Sequence, residues 1–115
     1  MESKADQEMS TIISMGLSLP PNVNLRYVSF KYSTAGDSYI QFVRITRTDQ
    51  MGESSIYDKE DLSLQSTTGT IYQTSFLENA STEGAVTLSL HLRFPSKNKR
   101  ISIGTIKIEV ANVEE

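Results

Sequence analysis

Apolar and polar residues alternate along part of the chain with the period of a β-strand. Between Val86 and Phe94, five apolar side chains occupy every second position and polar side chains lie between them. Because successive side chains of a strand point to opposite faces, this pattern predicts a strand with one buried and one exposed face. No other segment of the sequence alternates as regularly.

The isoleucine-rich segment from Arg100 to Val110 predicts another long strand, but its apolar alternation shifts by one position at Gly104–Thr105. A shift of one residue moves the apolar side chains to the other face of a strand. We therefore predict either a β-bulge at Gly104 or a bend that carries the strand between two sheets. With a turn over Pro95–Lys99, the Val86–Phe94 and Arg100–Val110 strands are predicted to pair as a long hairpin.

Shorter apolar runs, separated by turn residues, predict further strands upstream. The segment from Met9 to Gly16 fits both a strand and a short helix, and the Pro20–Pro21 pair that follows favours the strand. A polar loop is expected over Thr48–Ser55. The other predicted strands are Leu25–Tyr32, Tyr39–Arg47, Ser55–Tyr57 and Thr70–Leu77.

These elements predict an all-β fold, an antiparallel two-layer β-sandwich or jelly roll of about seven to eight short strands. A chain of 115 residues has room for one domain. We assign that domain to residues 9–115, and we interpret the polar residues 1–8 as a disordered leader.

Composition agrees with strands that expose one face to water. Hydrophobic residues make up 37% of the chain, and serine and threonine account for 27 of its 115 residues. The absence of cysteine favours a reducing compartment or a core that is adequate without disulfides. The first residues are too polar for a signal peptide, and no apolar run approaches the roughly 20 residues of a membrane span. We therefore expect a soluble cytoplasmic or intracellular protein that is not secreted by a classical signal.

Catalytic chemistry has few candidate residues in this sequence. Thiol catalysis and metal sites built on cysteine or on several histidines are excluded, because the chain has no cysteine and a single histidine, His91. The acids between Asp49 and Asp61 lack the spacing of a calcium loop. We predict that the protein is not an enzyme and that it holds no cofactor or metal.

Charge is distributed unevenly, although the net charge is only −3. From Arg93 through Lys107 there are basic residues and no acids, whereas Asp49–Asp61 is rich in acids. Basic side chains at a hairpin tip can bind phosphate groups, and they can also meet an acidic loop on another copy of the chain. The candidate interaction or nucleic-acid patch consists of Arg44, Arg47, Arg93, Lys97, Lys99 and Arg100.

Three function classes remain open at this point. We predict a structural or protein-interaction module that self-associates as a homo-oligomer, such as a viral or phage assembly or matrix component. The alternative is a nucleic-acid-binding accessory protein that uses the basic hairpin 93–100. The third class is a small-ligand or sugar binder that uses the loops.

Overall fold

The structure is a computed structural model, and it describes residues 2–5, 9–20, 23–75, 80–81, 84–96 and 99–112. Within these ranges the chain forms nine β-strands and no helix. No helix that is long and apolar enough to cross a bilayer is therefore found in the described part of the chain. The strands are β1 (Glu2–Ala5), β2 (Met9–Leu17), β3 (Val23–Thr34), β4 (Tyr39–Asp49), β5 (Gly52–Lys59), β6 (Thr70–Gln73), β7 (Ala80–Ser81), β8 (Ala85–Phe94) and β9 (Lys99–Asn112).

Two antiparallel sheets form the two layers of a β-sandwich. The first, sheet A, has the order β1-β9-β3-β6, and β7 also pairs with β3. The second, sheet B, has the order β2-β8-β4-β5. The predicted fold class is confirmed. The short strands β1 and β7 were not predicted, because four and two residues are too few to show a period.

The core lies between the sheets and is filled by alternate residues of their strands. All five apolar residues of the Val86–Phe94 alternation are buried, as predicted, and the polar residues between them face outward. Apolar side chains of sheet A meet them from the other side. The fully buried aromatic and aliphatic side chains are those of Phe30, Phe94, Leu25, Ile40, Ile45, Leu88, Leu90, Leu92, Ile101, Val28 and Val43.

The predicted hairpin of the two long strands is wrong. β8 pairs with β2 and β4 in sheet B, whereas β9 pairs with β3 and β1 in sheet A. Residues 93–100 thus lead from one sheet to the other. Alternation assigns one apolar face to each strand, and that requirement is met equally when the two strands lie side by side and when they lie in opposite layers.

The predicted β-bulge in β9 is confirmed. Lys31 is in register with Gly104, but Ser29 is in register with Lys107, so β9 has one extra residue at this point. Thr105 takes a left-handed conformation with a φ of 50°. β9 continues along β3 on both sides of the bulge, so it does not pass between the sheets.

Near its beginning the chain forms two edge strands. β2 confirms that the Met9–Gly16 segment is a strand, and it pairs with β8 along its whole length. Glu2–Ala5 pair with Ser102–Lys99 as β1, in contrast to the disordered leader predicted over residues 1–8. A polar sequence can form an edge strand because one side of that strand faces solvent. Met1 and residues 6–8 lie outside the described residues.

Two segments after β4 differ from the sequence prediction or extend it. The polar loop predicted over Thr48–Ser55 is a tight turn, because Asp49 and Gly52 are in register at the ends of β4 and β5. After β5, Leu64 exchanges backbone hydrogen bonds of 3.1 and 3.2 Å with Ile40 of β4. The chain then crosses to sheet A, where it forms the loop Ser66–Gly69.

Candidate binding site

The basic residues predicted to form one patch are divided between the two sheets. Arg44, Arg47 and Arg93 belong to β4 and β8 of sheet B, whereas Lys99 and Arg100 belong to β9 of sheet A. Lys97 lies outside the described residues. Because β8 ends at Phe94 in sheet B and β9 begins at Lys99 in sheet A, the described members of this patch lie in different layers.

Sheet B neutralises two of its arginines with acids of the same chain. Arg44 Nε lies 3.2 Å from Asp58 Oδ2, and its Nη2 donates a hydrogen bond of 3.0 Å to Glu60 Oε1. Arg47 lies 3.6 Å from the carboxylate of Asp49. The acidic segment, which the sequence analysis considered as a partner for another copy, supplies carboxylate partners for arginines of this chain.

The remaining arginine of that sheet, Arg93, donates a hydrogen bond of 3.2 Å to Gln41 Oε1. His91 lies beside it on the outer face of β8, as predicted, and its ring centroid is 5.1 Å from that of Phe42. Burial lowers the pKa of the His91 imidazole, and the charge of Arg93 lowers it further. The Phe42 ring also has the Arg44 guanidinium 4.4 Å from its centroid, so its surface is already engaged.

An open cavity of about 570 Å³ lies on the outer side of sheet A, where β3, β9 and the loop Ser66–Gly69 meet. We call it the β3–β9 cavity. Outward residues of two paired strands and one loop residue supply its polar side chains. These are Lys31, Ser33, Ser102 and Thr68.

The floor of the β3–β9 cavity is made by residues that do not fill it. A Cβ placed on Gly104 would meet no atom within 4 Å, so the space above this residue is open. Tyr32 and Ile103 also line the cavity, and their side chains are buried in the core. The floor is consequently tied to the packed interior and cannot shift easily.

Hydrogen bonds hold the loop wall of the cavity against β3. The Thr34 amide donates to the Ser66 carbonyl at 2.6 Å, and the Ser66 amide donates to Thr34 Oγ1 at 2.9 Å. Ser66 Oγ in turn accepts hydrogen bonds from the Gly69 amide at 3.0 Å and from the Thr70 hydroxyl at 2.8 Å. A wall held in this way loses little further conformational entropy when a ligand binds.

Lys31 is the charged residue of the cavity. Its Cε lies 2.7 Å from the position that a Cβ on Gly69 would take, so the side chain extends closely over this glycine. Gly69 also has a φ of 102°, which favours glycine. Lys31 is exposed and forms no ion pair or hydrogen bond through its side chain with the residues that the structure describes.

Two segments that form this cavity could be recognised in the sequence, but their proximity in the fold could not. The shift of alternation at Gly104 predicted the bulge beside the floor, and the polar run Ser66–Gly69 has the composition of a loop. Neither signal shows that the loop folds back over β3. That arrangement depends on the pairing between Thr34 and Ser66, residues 32 positions apart.

Comparisons with known proteins show a similarity of fold. A scan of protein-family models finds no match to the sequence, and a search of curated proteins finds no similar chain. A search of solved structures finds a match described as "CBM4 structure and function", a carbohydrate-binding module. The match is 7% identical, covers 96% of this chain and 81% of the other, and has a TM-score of 0.51. At this identity the likeness shows a shared β-sandwich fold.

The function predicted from the sequence is corrected by this comparison. The structural neighbour is a carbohydrate-binding β-sandwich, which points away from a self-associating viral or phage component and from nucleic-acid binding. The structure supplies a physical reason against nucleic-acid binding by the predicted basic patch. The described members of the predicted patch lie in opposite sheets, and Arg44 and Arg47 are paired with acids of the same chain.

Proposed function

We propose that this chain is a non-catalytic carbohydrate-binding module and that the β3–β9 cavity is its site. The observation that carries the proposal is an open cavity with polar walls on the outer face of one sheet. It occurs in a β-sandwich that resembles a carbohydrate-binding module over most of the chain. A sugar is the ligand class that fits both features.

The chemistry of the lining supports a sugar ligand. Ser33 and Thr68 contribute hydroxyl groups, each of which can donate one hydrogen bond and accept others, as the hydroxyls of a sugar do. The backbone at Gly104 lies at the surface of the cavity, and no atom within 4 Å covers the position where a side chain would begin. Its volume of about 570 Å³ is within the range of roughly 300–1,000 Å³ typical of small-molecule sites.

Gly104→Phe tests the proposal because the new side chain would occupy the cavity. The space above Gly104 is open and its backbone has an ordinary φ, so the substitution introduces no clash with neighbouring atoms. We expect the purified wild-type chain to bind oligosaccharides in titration calorimetry and on a glycan array. Affinity should fall at least about 10-fold in Gly104→Phe, because the ligand loses both space and hydrogen bonds.

A matched control is Gly16→Phe on β2 of the opposite sheet. Gly16 is also an exposed strand glycine with open space around it, so both variants receive the same side chain in a similar local setting. Circular dichroism and thermal unfolding establish that both variants fold. Binding that is lost in Gly104→Phe and kept in Gly16→Phe supports the proposal. A wild-type chain that binds no glycan, or equal affinity in all three proteins, overturns it.

A further inference from the structure

We propose that the sugar unit bound in the β3–β9 cavity is acidic, and that the Lys31 ammonium group binds its carboxylate or sulfate. This inference rests on the proposed function and specifies its ligand class. The cavity then has two kinds of contact, hydrogen bonds from hydroxyl and backbone groups to the ring and one charged contact at its edge.

Lys31 has no carboxylate partner among the side chains that the structure describes. None of the described acidic side chains lines the cavity, and Lys31 has no ion pair with them. This differs from the outer face of sheet B, where Arg44 has two carboxylate partners. An anion that binds at Lys31 therefore does not have to displace an existing partner of that residue.

Neighbouring residues add positive charge on the same face of sheet A. Arg100 and Lys107 are exposed and flank Ser102 and Gly104 along the outward side of β9. The backbone of Glu2 in β1 is in register with Ser102, on the side of β9 away from β3. The acidic residue Glu109 is on the outward face, but it is in register with Tyr27, four residues along β3 from Lys31. At the rise of a strand this separation is about 13 Å, more than one screening length at physiological salt.

The Lys31 side chain lies along the loop wall of the cavity. The aliphatic part of the side chain extends over Gly69, and Gly69 is fixed by its hydrogen bond to Ser66. A hydrogen bond between ionised partners is roughly twice as strong as a neutral one.

Lys31→Met tests the inference because it keeps the aliphatic stem and removes the charge. The probes are oligogalacturonate, its methyl ester, which has the same skeleton without charge, and a sulfated galactan oligosaccharide. We expect wild type to bind at least one of the two charged probes about 10-fold or more tightly than the neutral ester. Lys31→Met should reduce the ratio of the affinities for the charged and neutral probes to about one, and it should leave the affinity for the ester unchanged. The preference should also weaken as salt is raised.

Lys59→Met serves as the control, because Lys59 is an exposed lysine on β5 of the opposite sheet. It should retain the wild-type ratio. Comparison of the wild-type affinities for oligogalacturonate and for the sulfated galactan oligosaccharide shows whether the site prefers a carboxylate or a sulfate. Equal wild-type affinity for charged and neutral probes, with binding still lost in Gly104→Phe, overturns this inference and leaves the proposed function standing. Equal loss for all probes in Lys31→Met also overturns it. Absence of binding to all three probes, with another oligosaccharide on the glycan array still bound, overturns this inference alone. Absence of binding to every glycan overturns both proposals.

Discussion

Two tyrosine hydroxyl groups join the sheets at one side of the sandwich. Tyr57 of β5 and Tyr72 of β6 share a hydrogen bond of 2.5 Å, and the Tyr72 ring stacks on Phe30 at 5.5 Å between centroids. Burial raises the pKa of Tyr72 above the ordinary tyrosine value, and the hydrogen bond to Tyr57 and its charge raise it further. The folded protein therefore holds the Tyr72 proton to a higher pH than the unfolded chain does.

This difference predicts how stability depends on alkaline pH. The stabilisation is complete below the unfolded pKa of about 10, and it is lost as the pH rises above that value, because the unfolded chain releases its proton first. Tyr72→Phe should cost about 1 kcal/mol at pH 7 through the lost hydrogen bond. Its unfolding free energy should then fall less steeply than that of wild type between pH 10 and 11.5. Urea unfolding across this range measures both quantities, and identical slopes would contradict the assignment.

The residue scale also shows what the sequence could not reveal about the predicted basic patch. The sequence gives the charge of Arg44 but not its partners, Asp58 and Glu60, which reach it through the pairing of β4 with β5. Lys31 was not selected from the sequence, because it is a single lysine within a strand. The role that we propose for Lys31 depends on the loop that places Gly69 and Thr68 beside it.

At the scale of the element, β9 shows how a β-bulge accommodates a one-residue shift in the apolar alternation of a strand. The bulge between Gly104 and Lys107 keeps Ile101 and Ile103 buried, while Ile108 packs against the core on the other side of the shift. The residue in the left-handed conformation is Thr105, although its Cβ is branched. A branched side chain is unfavourable there, at a cost of about 1–2 kcal/mol.

Thr105→Gly should therefore stabilise the protein. Relief of the backbone strain exceeds the entropy that glycine loses on folding, and we expect the unfolding free energy to rise by about 0.5–1 kcal/mol. Equilibrium urea unfolding measures the change. Thr87→Gly, in the regular part of β8, is the comparison and should destabilise by a similar amount. Destabilisation at both positions would mean that Thr105 is not strained.

Strand positions and faces could be predicted from sequence, but strand neighbours could not. The alternation from Val86 to Phe94 correctly assigns every buried position of β8. It contains no information on whether β9 lies beside β8 or in the other sheet, since either arrangement buries the same side chains. The turn at Asp49–Gly52 was interpreted as a longer loop because the first half of β5 is exposed and polar.

On the scale of the whole molecule, one core supports both sheets. Leu90 is fully buried at the centre of β8, where it packs with side chains of both layers. The β-sandwich was predictable because such a core requires many half-buried strands. The β3–β9 cavity was not, because it forms where β3, β9 and a loop from between them in sequence meet. The single domain over residues 9–115 and the intracellular location stay predictions.

Substitution of Leu90 tests this shared core. Leu90→Ala should lower the unfolding free energy by about 2–5 kcal/mol, because it removes buried methyl groups and leaves a cavity. Leu90→Asp should leave the chain unfolded, because its charge would have no partner in the core. The neighbouring Ser89→Asp points outward and should cost about 1 kcal/mol or less. Circular dichroism and urea unfolding distinguish the three, and a folded Leu90→Asp would contradict the assigned core.

The position of β9 between β1 and β3 has a consequence for the newly made chain on the ribosome. β3 is synthesised long before β9, and residues 35–98 must emerge before its long partner strand is available. Throughout that interval one side of β3 has unpaired main-chain N–H and C=O groups, which strands of other nascent chains can bind. The pairing of β3 with β9 also joins segments that are distant in sequence, which is a feature of slowly folding β proteins. We therefore expect the interval before β9 pairs to be the one in which the nascent chain is most exposed to aggregation.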